Sequence, residues 1–348
     1  MQGRRGIYIK QIKVQIKDFK YDILLGENIN LKEVLNPFIS RRLFIITDKN
    51  LYHYYESYLN NHLNDFNFIF VVVEPSEHSK SFESYESVIN TLLQHHISRN
   101  DLIVALGGGV VGDLAGFVSA TILRGVDLIQ IPTSLLAMVD SSIGGKTGID
   151  TTYGKNLVGA FKQPILVVTD THFLKTLPKV EFINGLAEVL KAGLIRDKAL
   201  LELLKQDHYD VVEMIYKAIM VKKEIVELDP FESHERMFLN FGHTFGHSIE
   251  QAHHYEIKHG FCVAMGMDLA LQLGIHLKET NPNLLTEYYQ LSDKIGLPRF
   301  EGNKTNYIEQ IKYDKKHKNG KIYFVLLKEV GQPIICPISE ESLYDLSN

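Results

Sequence analysis

The period of the apolar residues changes at Leu177-Pro178, and no other feature of the sequence constrains the fold as much. Upstream, short apolar runs alternate with helical stretches. Residues 7–25 read as two strands joined by a turn, with 21–25 as the second. Leu43–Asp48 is apolar until its polar end, as expected of a buried parallel strand presenting residues at its carboxyl edge. A helical stretch follows, then the strand Phe68–Val73. A loop from Glu74 to Lys80 comes next, and Ser81 is placed to cap a helix running to about residue 96. Further strands are expected at 101–106, 127–131 and 165–169. Such alternation implies an α/β unit with a parallel sheet. Downstream, period 3.6 predicts helices over 179–195, 197–206, 208–227, 236–254, 258–277 and 283–295, with little strand signal before Lys321–Leu327. The 348 residues therefore divide near 170–180, into an α/β domain (1–175) and a mainly α-helical domain (176–348).

Composition acts mainly by exclusion. A formal net charge of -5 argues against a nucleic-acid surface, although local basic clusters can still grip a small anion. Only Cys262 and Cys336 are present, without paired spacing, so neither a disulfide framework nor a cysteine zinc site is implied. Near the N-terminus Ile7, Ile9, Ile12, Val14 and Ile16 are interrupted by Lys and Gln, which reads as an alternating strand and not a signal-peptide core. No apolar run reaches membrane-spanning length, and a cytoplasmic location is expected.

Three stretches carry candidate chemistry. In Phe241-Gly242-His243-Thr244-Phe245-Gly246-His247 the histidines stand at i and i+4, so a helix projects both rings from one face. That spacing suits a divalent metal, and an ordinary helical pair fits it as well. Thr244 occupies the position of the general-base Glu in the zinc-protease pattern, which disfavours peptide hydrolysis. His259-Gly260 heads a later helix, and Glu188 lies in an earlier one. Gly107, Gly109 and Gly112 satisfy Gly-x-Gly-x-x-Gly, but not after the first strand and without an acidic residue ending the next one. A dinucleotide turn and a plain tight turn both remain open. Asp140-Ser141-Ser142-Ile143-Gly144-Gly145-Lys146-Thr147-Gly148 is not a P-loop, because Asp140 stands where that motif needs Gly. With Gly154-Lys155-Asn156 it reads as a glycine-rich loop able to cradle an anion, or simply as a solvated loop.

Assembled, these motifs resemble the 3-dehydroquinate synthase family of sugar phosphate cyclases. The likeness covers nearly the whole chain. It rests on residues 107–113, 140–148, 154–156, 185–195, 240–250 and 259–267, and on Asp314-Lys315-Lys316. It implies an N-terminal Rossmann-like NAD-binding α/β domain, a mainly α-helical metal-binding domain, and an active site in the cleft between them. By motif position Glu188, His243 and His259 would bind Zn2+ or Co2+. NAD would be contacted by Asp48, Asn50, Glu77, Lys80, Gly108, Gly109 and Val111, and further by Asp113, Thr133, Ser134 and Asp140, with Lys146 and Lys155 nearby. The substrate's carboxylate, hydroxyls and phosphate would meet Lys146, Lys155, Asn156, Lys191 and Lys222, together with Arg236, Asn240, His247 and Lys316. Arg124 resembles the family's arginine that reaches into a neighbouring subunit, implying a homodimer, and Asp229 and Glu232 match supporting acidic positions. Ser134, Met138, Asp150 and Tyr323 depart from the usual Thr, Gln, Asn and Arg. Ser134 keeps the hydroxyl, whereas Asp150 is expected to weaken anion binding slightly.

The reaction this implies converts 3-deoxy-D-arabino-heptulosonate 7-phosphate into 3-dehydroquinate and phosphate. A carbon–hydrogen bond beside a hydroxyl is too weak an acid for any side chain. Transient oxidation of that hydroxyl by NAD acidifies the neighbouring position, phosphate leaves, and the hydride returns before ring opening and an intramolecular aldol closure. The nearest rivals are other sugar phosphate cyclases and metal-dependent glycerol-type dehydrogenases. The Lys146, Lys155, Lys191, Lys222 and Arg236 set favours an acidic, phosphorylated substrate over either. A dead NAD- or metal-binding subunit would have lost a ligand or the lysine loop, and neither is missing.

Overall fold

The computed structural model describes residues 9–311, 317–318, 321–339 and 342–343, so Lys315, Lys316 and the segment before Ile7 lie outside the described residues. The chain forms two compact units, Met1–Pro178 and Lys179–Asn348.

The first unit runs β1 (Lys10–Ile16), β2 (Phe19–Gly26), α1 (Leu31–Leu35), β3 (Leu43–Asp48), α2 (Lys49–His62), β4 (Phe68–Val73) and α3 (Phe82–Gln94). It continues with β5 (Leu102–Gly107), α4 (Gly109–Thr121), β6 (Asp127–Pro132), β7 (Lys146–Thr151), β8 (Gly154–Phe161) and β9 (Leu166–Asp170). Seven strands form one sheet in the order β1-β2-β9-β6-β5-β3-β4. Only β1 and β2 are antiparallel, in the register Lys10↔Leu25 to Ile16↔Phe19. Their alternation buries Ile12, Val14, Ile16, Tyr21, Ile23 and Leu25 on one face. Lys and Gln on the other face of β1 blunt the free edge. Ser81 caps α3 by accepting from the Ser84 N–H at 3.2 Å, as its place before the apolar period predicts.

From β3 the chain first adds β4 on one side and then returns to β5 on the other. The carboxyl ends of β3 and β5 therefore flank a switch in strand order, with Thr47 in register with Leu106. Open α/β sheets bind ligands outside the strand ends at such a point. Behind it Phe44, Ile46, Ile103 and Ala105 pack on Val111, Leu114 and Val118 of α4 and on Val88 and Leu92 of α3. Each large side chain buried there contributes about 1.5–3 kcal/mol.

The stretch expected to be a glycine-rich loop is more ordered than that. A π-turn at Ala137–Ser141 leads into the antiparallel hairpin β7–β8. Gly148 and Gly159 face each other there, and a Cβ on Gly159 would stand 2.3 Å from the Thr147 carbonyl oxygen. The glycines that suggested a loop thus allow two backbones to meet.

The second unit contains α5 (Lys179–Ile195), α6 (Lys198–Leu204), α7 (Val211–Leu228), α8 (His243–Ala252), α9 (His259–His276), α10 (Pro282–Ile295) and α11 (Thr305–Ile311). A small antiparallel sheet follows: β10 (His317–Lys318), β11 (Lys321–Leu327) and β12 (Pro333–Ile338), in that order. Two expectations are corrected. The segment 236–254 is not one helix: a 3-10 turn, Glu235–Asn240, ends at a break where Gly242 adopts φ +79°, and α8 starts only at His243. β12 was not expected, because Pro333 and Pro337 hide its pattern, yet an edge strand tolerates proline. None of the described helices is long and apolar enough to cross a membrane.

α8 and α9 cross at glycine. A Cβ on Gly266 would stand 2.0 Å from the Gly242 carbonyl oxygen and 2.6 Å from the Gly246 nitrogen, both backbone atoms. Gly266→Ala is expected to destabilise the protein by about 1–3 kcal/mol through overpacking, read from a urea titration followed by circular dichroism. An unchanged midpoint would mean that the two helices can separate without cost.

Candidate active site

The same close crossing brings two histidines together. His243 occupies the first turn of α8 and His259 the first turn of α9. α9 also meets α5 closely: the Gly260 N–H donates to Asn184 Oδ1 at 2.7 Å, where a Cβ on Gly260 would clash with the Asn184 carbonyl. One turn beyond Asn184, Glu188 points at both rings. Its Oε1 lies 3.6 Å from His243 Nε2 and 3.8 Å from His259 Nε2. One ligand atom from each of Glu188, His243 and His259 lies within 4.8 Å of the others.

Second partners fix which nitrogen each ring presents. The Phe241 carbonyl, 3.3 Å from His243 Nδ1, can only accept, so Nδ1 carries the proton and Nε2 keeps its lone pair. His259 Nδ1 lies 3.0 Å from Glu250 Oε1, which selects the same tautomer. Burial holds the His243 pKa well below its usual value, helped by the nearby Lys191 cation, so the ring is neutral as ligation requires. Burial also lowers that of His259, but the Glu250 hydrogen bond and charge outweigh it and the net direction is upward.

The Glu188 side chain is only 2% exposed, yet neither carboxylate oxygen receives an aligned hydrogen bond from the described residues. Lys191, one turn on, makes an ion pair with Oε2 without that alignment. An unsatisfied buried carboxylate is expensive, so two imidazole nitrogens and this anion fit a divalent cation and leave coordination positions open. His247 is exposed one turn past His243, with ring centroids 5.5 Å apart.

Glu250 was not singled out by the sequence reading. It sits seven residues after His243 and three after His247, on the same helical face, and that spacing was the available signal. With His247 and His259 it forms a second group of possible ligands.

Between α7 and α8 the chain folds around Asp229. Its carboxylate accepts from the Ser233 N–H and hydroxyl, both at 2.9 Å, from the His234 N–H at 2.6 Å and from the Arg236 N–H at 3.1 Å. Burial alone would raise its pKa, but these bonds hold it well below the carboxylate range. The loop positions the buried Arg236, whose guanidinium donates to the Pro230 carbonyl, and Glu232, held at φ +62° and accepting from Asn240 at 2.5 Å. Lys191 and Lys222 are buried cations on α5 and α7.

In the first unit the expected NAD residues gather at the carboxyl ends of the strands. Asp48 ends β3 and caps α2 by accepting from the Asn50 and Leu51 N–H groups. Gly108 precedes α4 and supplies no side-chain cap, leaving the first-turn N–H groups, Gly109 and Val111 among them, suited to an anion. Thr133 and Ser134 follow β6, and the Thr133 N–H donates to the Gly107 carbonyl at 3.0 Å. Asp140 lies in the π-turn, and Lys146 opens β7 as an exposed cation.

Lys80, 5% exposed, is the hub of a separate network. Its ammonium donates to Asp113 at 2.8 Å and to Asn156 Oδ1 at 2.5 Å, with Glu77 at 3.8 Å. Burial lowers its pKa, but Asp113 and Glu77 raise it further, so Lys80 stays charged. Lys155 Nζ lies 3.6 Å from Glu77. Arg124 joins no such cluster among the described residues: it is exposed at φ +64°, beside Leu123 at φ +52°.

The chain matches the family model described as 3-dehydroquinate synthase N-terminal over residues 70–184, and that described as 3-dehydroquinate synthase C-terminal over residues 185–317. It is 39% identical to the 3-dehydroquinate synthase of Thermoanaerobacter pseudethanolicus, over 95% of this chain and 98% of that one. Among solved structures it resembles 2-epi-5-epi-valiolone synthase from Streptomyces hygroscopicus subsp. jinggangensis with NAD+ and Zn2+ bound. The TM-score is 0.86 at 25% identity, covering 95% and 97% of the two chains. It shares its fold with 2-deoxy-scyllo-inosose synthase complexed with carbaglucose-6-phosphate, NAD+ and Co2+, at a TM-score of 0.86 and 23% identity over 97% and 99%.

The Glu250–His259 bond has a measurable consequence. Glu250→Ala is expected to weaken Zn2+ binding by about 10–100-fold, measured by chelator competition. Unchanged affinity would show that the contact does not orient His259.

Proposed function

The chain belongs to the 3-dehydroquinate synthase family, and from that premise we propose how its own residues divide the work of the reaction. The enzyme is a carbon–oxygen lyase of aromatic amino acid biosynthesis, converting 3-deoxy-D-arabino-heptulosonate 7-phosphate into 3-dehydroquinate and phosphate with NAD and a divalent metal. The observation that carries the residue assignment is the buried Glu188 carboxylate, without an aligned donor, facing the lone-pair nitrogens of His243 and His259.

Glu188, His243 and His259 hold the metal. When bound, the metal supplies a Lewis acid for substrate oxygens, and NAD supplies a reversible hydride acceptor. His247, more exposed than His243 one turn before it, exchanges the substrate hydroxyl proton with water at its ring nitrogen. Lys191, Lys222 and Arg236 are held as buried cations, which strengthens their attraction for carboxylate and phosphate. Asn240 orients hydroxyls, and Glu232 in turn fixes the Asn240 amide. Lys146 and Lys155 come from the β7–β8 hairpin and neutralise substrate carboxylate and phosphate, and Asn156 beside Lys155 hydrogen-bonds the bound substrate. Lys316 joins them by motif position.

NAD lies along the carboxyl ends of β3, β5 and β6. It meets Asp48 and Asn50, the α4 first turn from Gly108 to Asp113, and Thr133, Ser134 and Asp140, with Glu77 and Lys80 beside it. The enzyme works as a cytoplasmic homodimer in which Arg124 reaches the second copy. Two adjacent non-glycine residues in the left-handed region cost about 1–3 kcal/mol each, and such strain persists where it has a use.

The metal-loaded protein with catalytic NAD is expected to release phosphate from 3-deoxy-D-arabino-heptulosonate 7-phosphate without net NADH. Net NADH without phosphate would instead mean a dehydrogenase. Glu188→Gln and His243→Ala are expected to lose both bound zinc and turnover, and normal zinc content in either would overturn the ligand assignment.

A further inference from the structure

The hairpin that carries Lys155 and Asn156 is not held by its ladder at the point where they sit. Ile149 pairs with Val158 and Thr151 pairs with Gly154, so Asp150 alone opposes Lys155, Asn156 and Leu157 in a bulge. A bulge leaves backbone groups without ladder partners. Here the Asp150 carboxylate takes over: its Oδ1 accepts from the Asn156 N–H at 2.8 Å. Asn156 is held at φ +55°, a left-handed conformation that needs such support in a non-glycine residue. That conformation turns the Asn156 amide oxygen to the Lys80 ammonium, 2.5 Å away. The Asp150 N–H donates back to the Lys80 carbonyl at 2.6 Å, closing a ring of contacts through Lys80, Asn156 and Asp150. The same ammonium is anchored on Asp113.

We propose that Asp150 is a positioning residue for substrate binding, acting as a hydrogen-bond acceptor that shapes the bulge and so aims Lys155 and Asn156. The acceptor matters more than the charge. The partner of Asp150 is a neutral backbone N–H, while its distance to the Lys80 ammonium is 4.0 Å, beyond hydrogen-bond reach. An asparagine oxygen can take the same bond. The proposal rests on the reading of Lys155 and Asn156 as substrate contacts.

The test compares Asp150→Ala, Asp150→Asn and Asn156→Ala in the NAD- and zinc-loaded enzyme, by steady-state kinetics and by hydrogen exchange of peptides covering residues 150–158. Asp150→Ala is expected to speed exchange in the bulge by about tenfold while leaving other peptides unchanged. It should raise KM for the phosphorylated substrate by about tenfold with kcat within about twofold. Asp150→Asn should restore both. An Asp150→Asn variant as impaired as Asp150→Ala would overturn the acceptor role, and this arm stands even if the alanine variant folds poorly. If Asn156→Ala raises KM but Asp150→Ala does not, the positioning role is wrong. If neither moves KM, the substrate-contact reading has failed and the proposal fails with it.

Discussion

The helical unit depends on a carboxylate placed where a protein can least easily keep one. Glu188 is buried on α5 with no aligned donor on either oxygen among the described residues; its electrostatic relief comes from Lys191 on one side, while two imidazole lone pairs face it on the other. A buried ion pair alone rarely repays the desolvation of both charges. Much of the surrounding packing is explicable as the means of tolerating it. The glycine contacts of α8 with α9, and of α9 with α5, place His243 and His259 within reach, and a side chain at either crossing would push them apart. The Phe241 carbonyl and Glu250 then hold both rings with Nε2 toward the carboxylate. The stability forgone at Glu188 leaves a trio whose charge and donor atoms suit a cation.

The α/β unit solves a related problem with the opposite sign. Lys80 is as buried as Glu188 but fully engaged, donating to Asp113 and Asn156 with Glu77 close by. It joins the loop after β4, the first turns of α4 and the β7–β8 hairpin. These are the segments that the family reading gives to cofactor and substrate. A charge satisfied from three directions fixes their mutual geometry, because moving any one segment strands a buried ammonium. Glu188 faces two histidine nitrogens across an unbonded gap, whereas Lys80 holds a frame.

The legible parts of the sequence were those where one residue type serves one local purpose. Leu43–Asp48 reads as a buried strand because its apolar run ends abruptly, and Ser81 reads as a cap because a helical period starts one residue later. His243 and His247 announce a shared helical face by spacing alone. The less legible parts depend on contacts distant in sequence or on residues with two uses. Gly148 and Gly159 look like loop glycines, although their function is to let two strands touch. The break before α8 is invisible to periodicity, because the apolar period continues through Gly242 while the backbone reverses at φ +79°. Glu250 lies on the right face of α8, but its partner His259 belongs to another helix, so spacing could suggest the face and not the bond.

Asp229 and Asp150 show why acidic residues near clustered cations resist reading by charge. By charge alone Asp150 looks like a defect that would repel carboxylate and phosphate, and Asp229 adds a second negative group. In the structure each commits carboxylate oxygen to backbone N–H groups. Asp229 gathers donors from Ser233, His234 and Arg236, and Asp150 receives the Asn156 N–H. Each thereby shapes a turn that presents a cation, Arg236 in one case and Lys155 in the other. A carboxylate committed to backbone donors projects less negative charge at a distance than a free one, since the donors' dipoles oppose its field. The acidic residues closest to the basic ones are then part of how the basic ones are aimed, and a count of charges around such a site misjudges its affinity for anions.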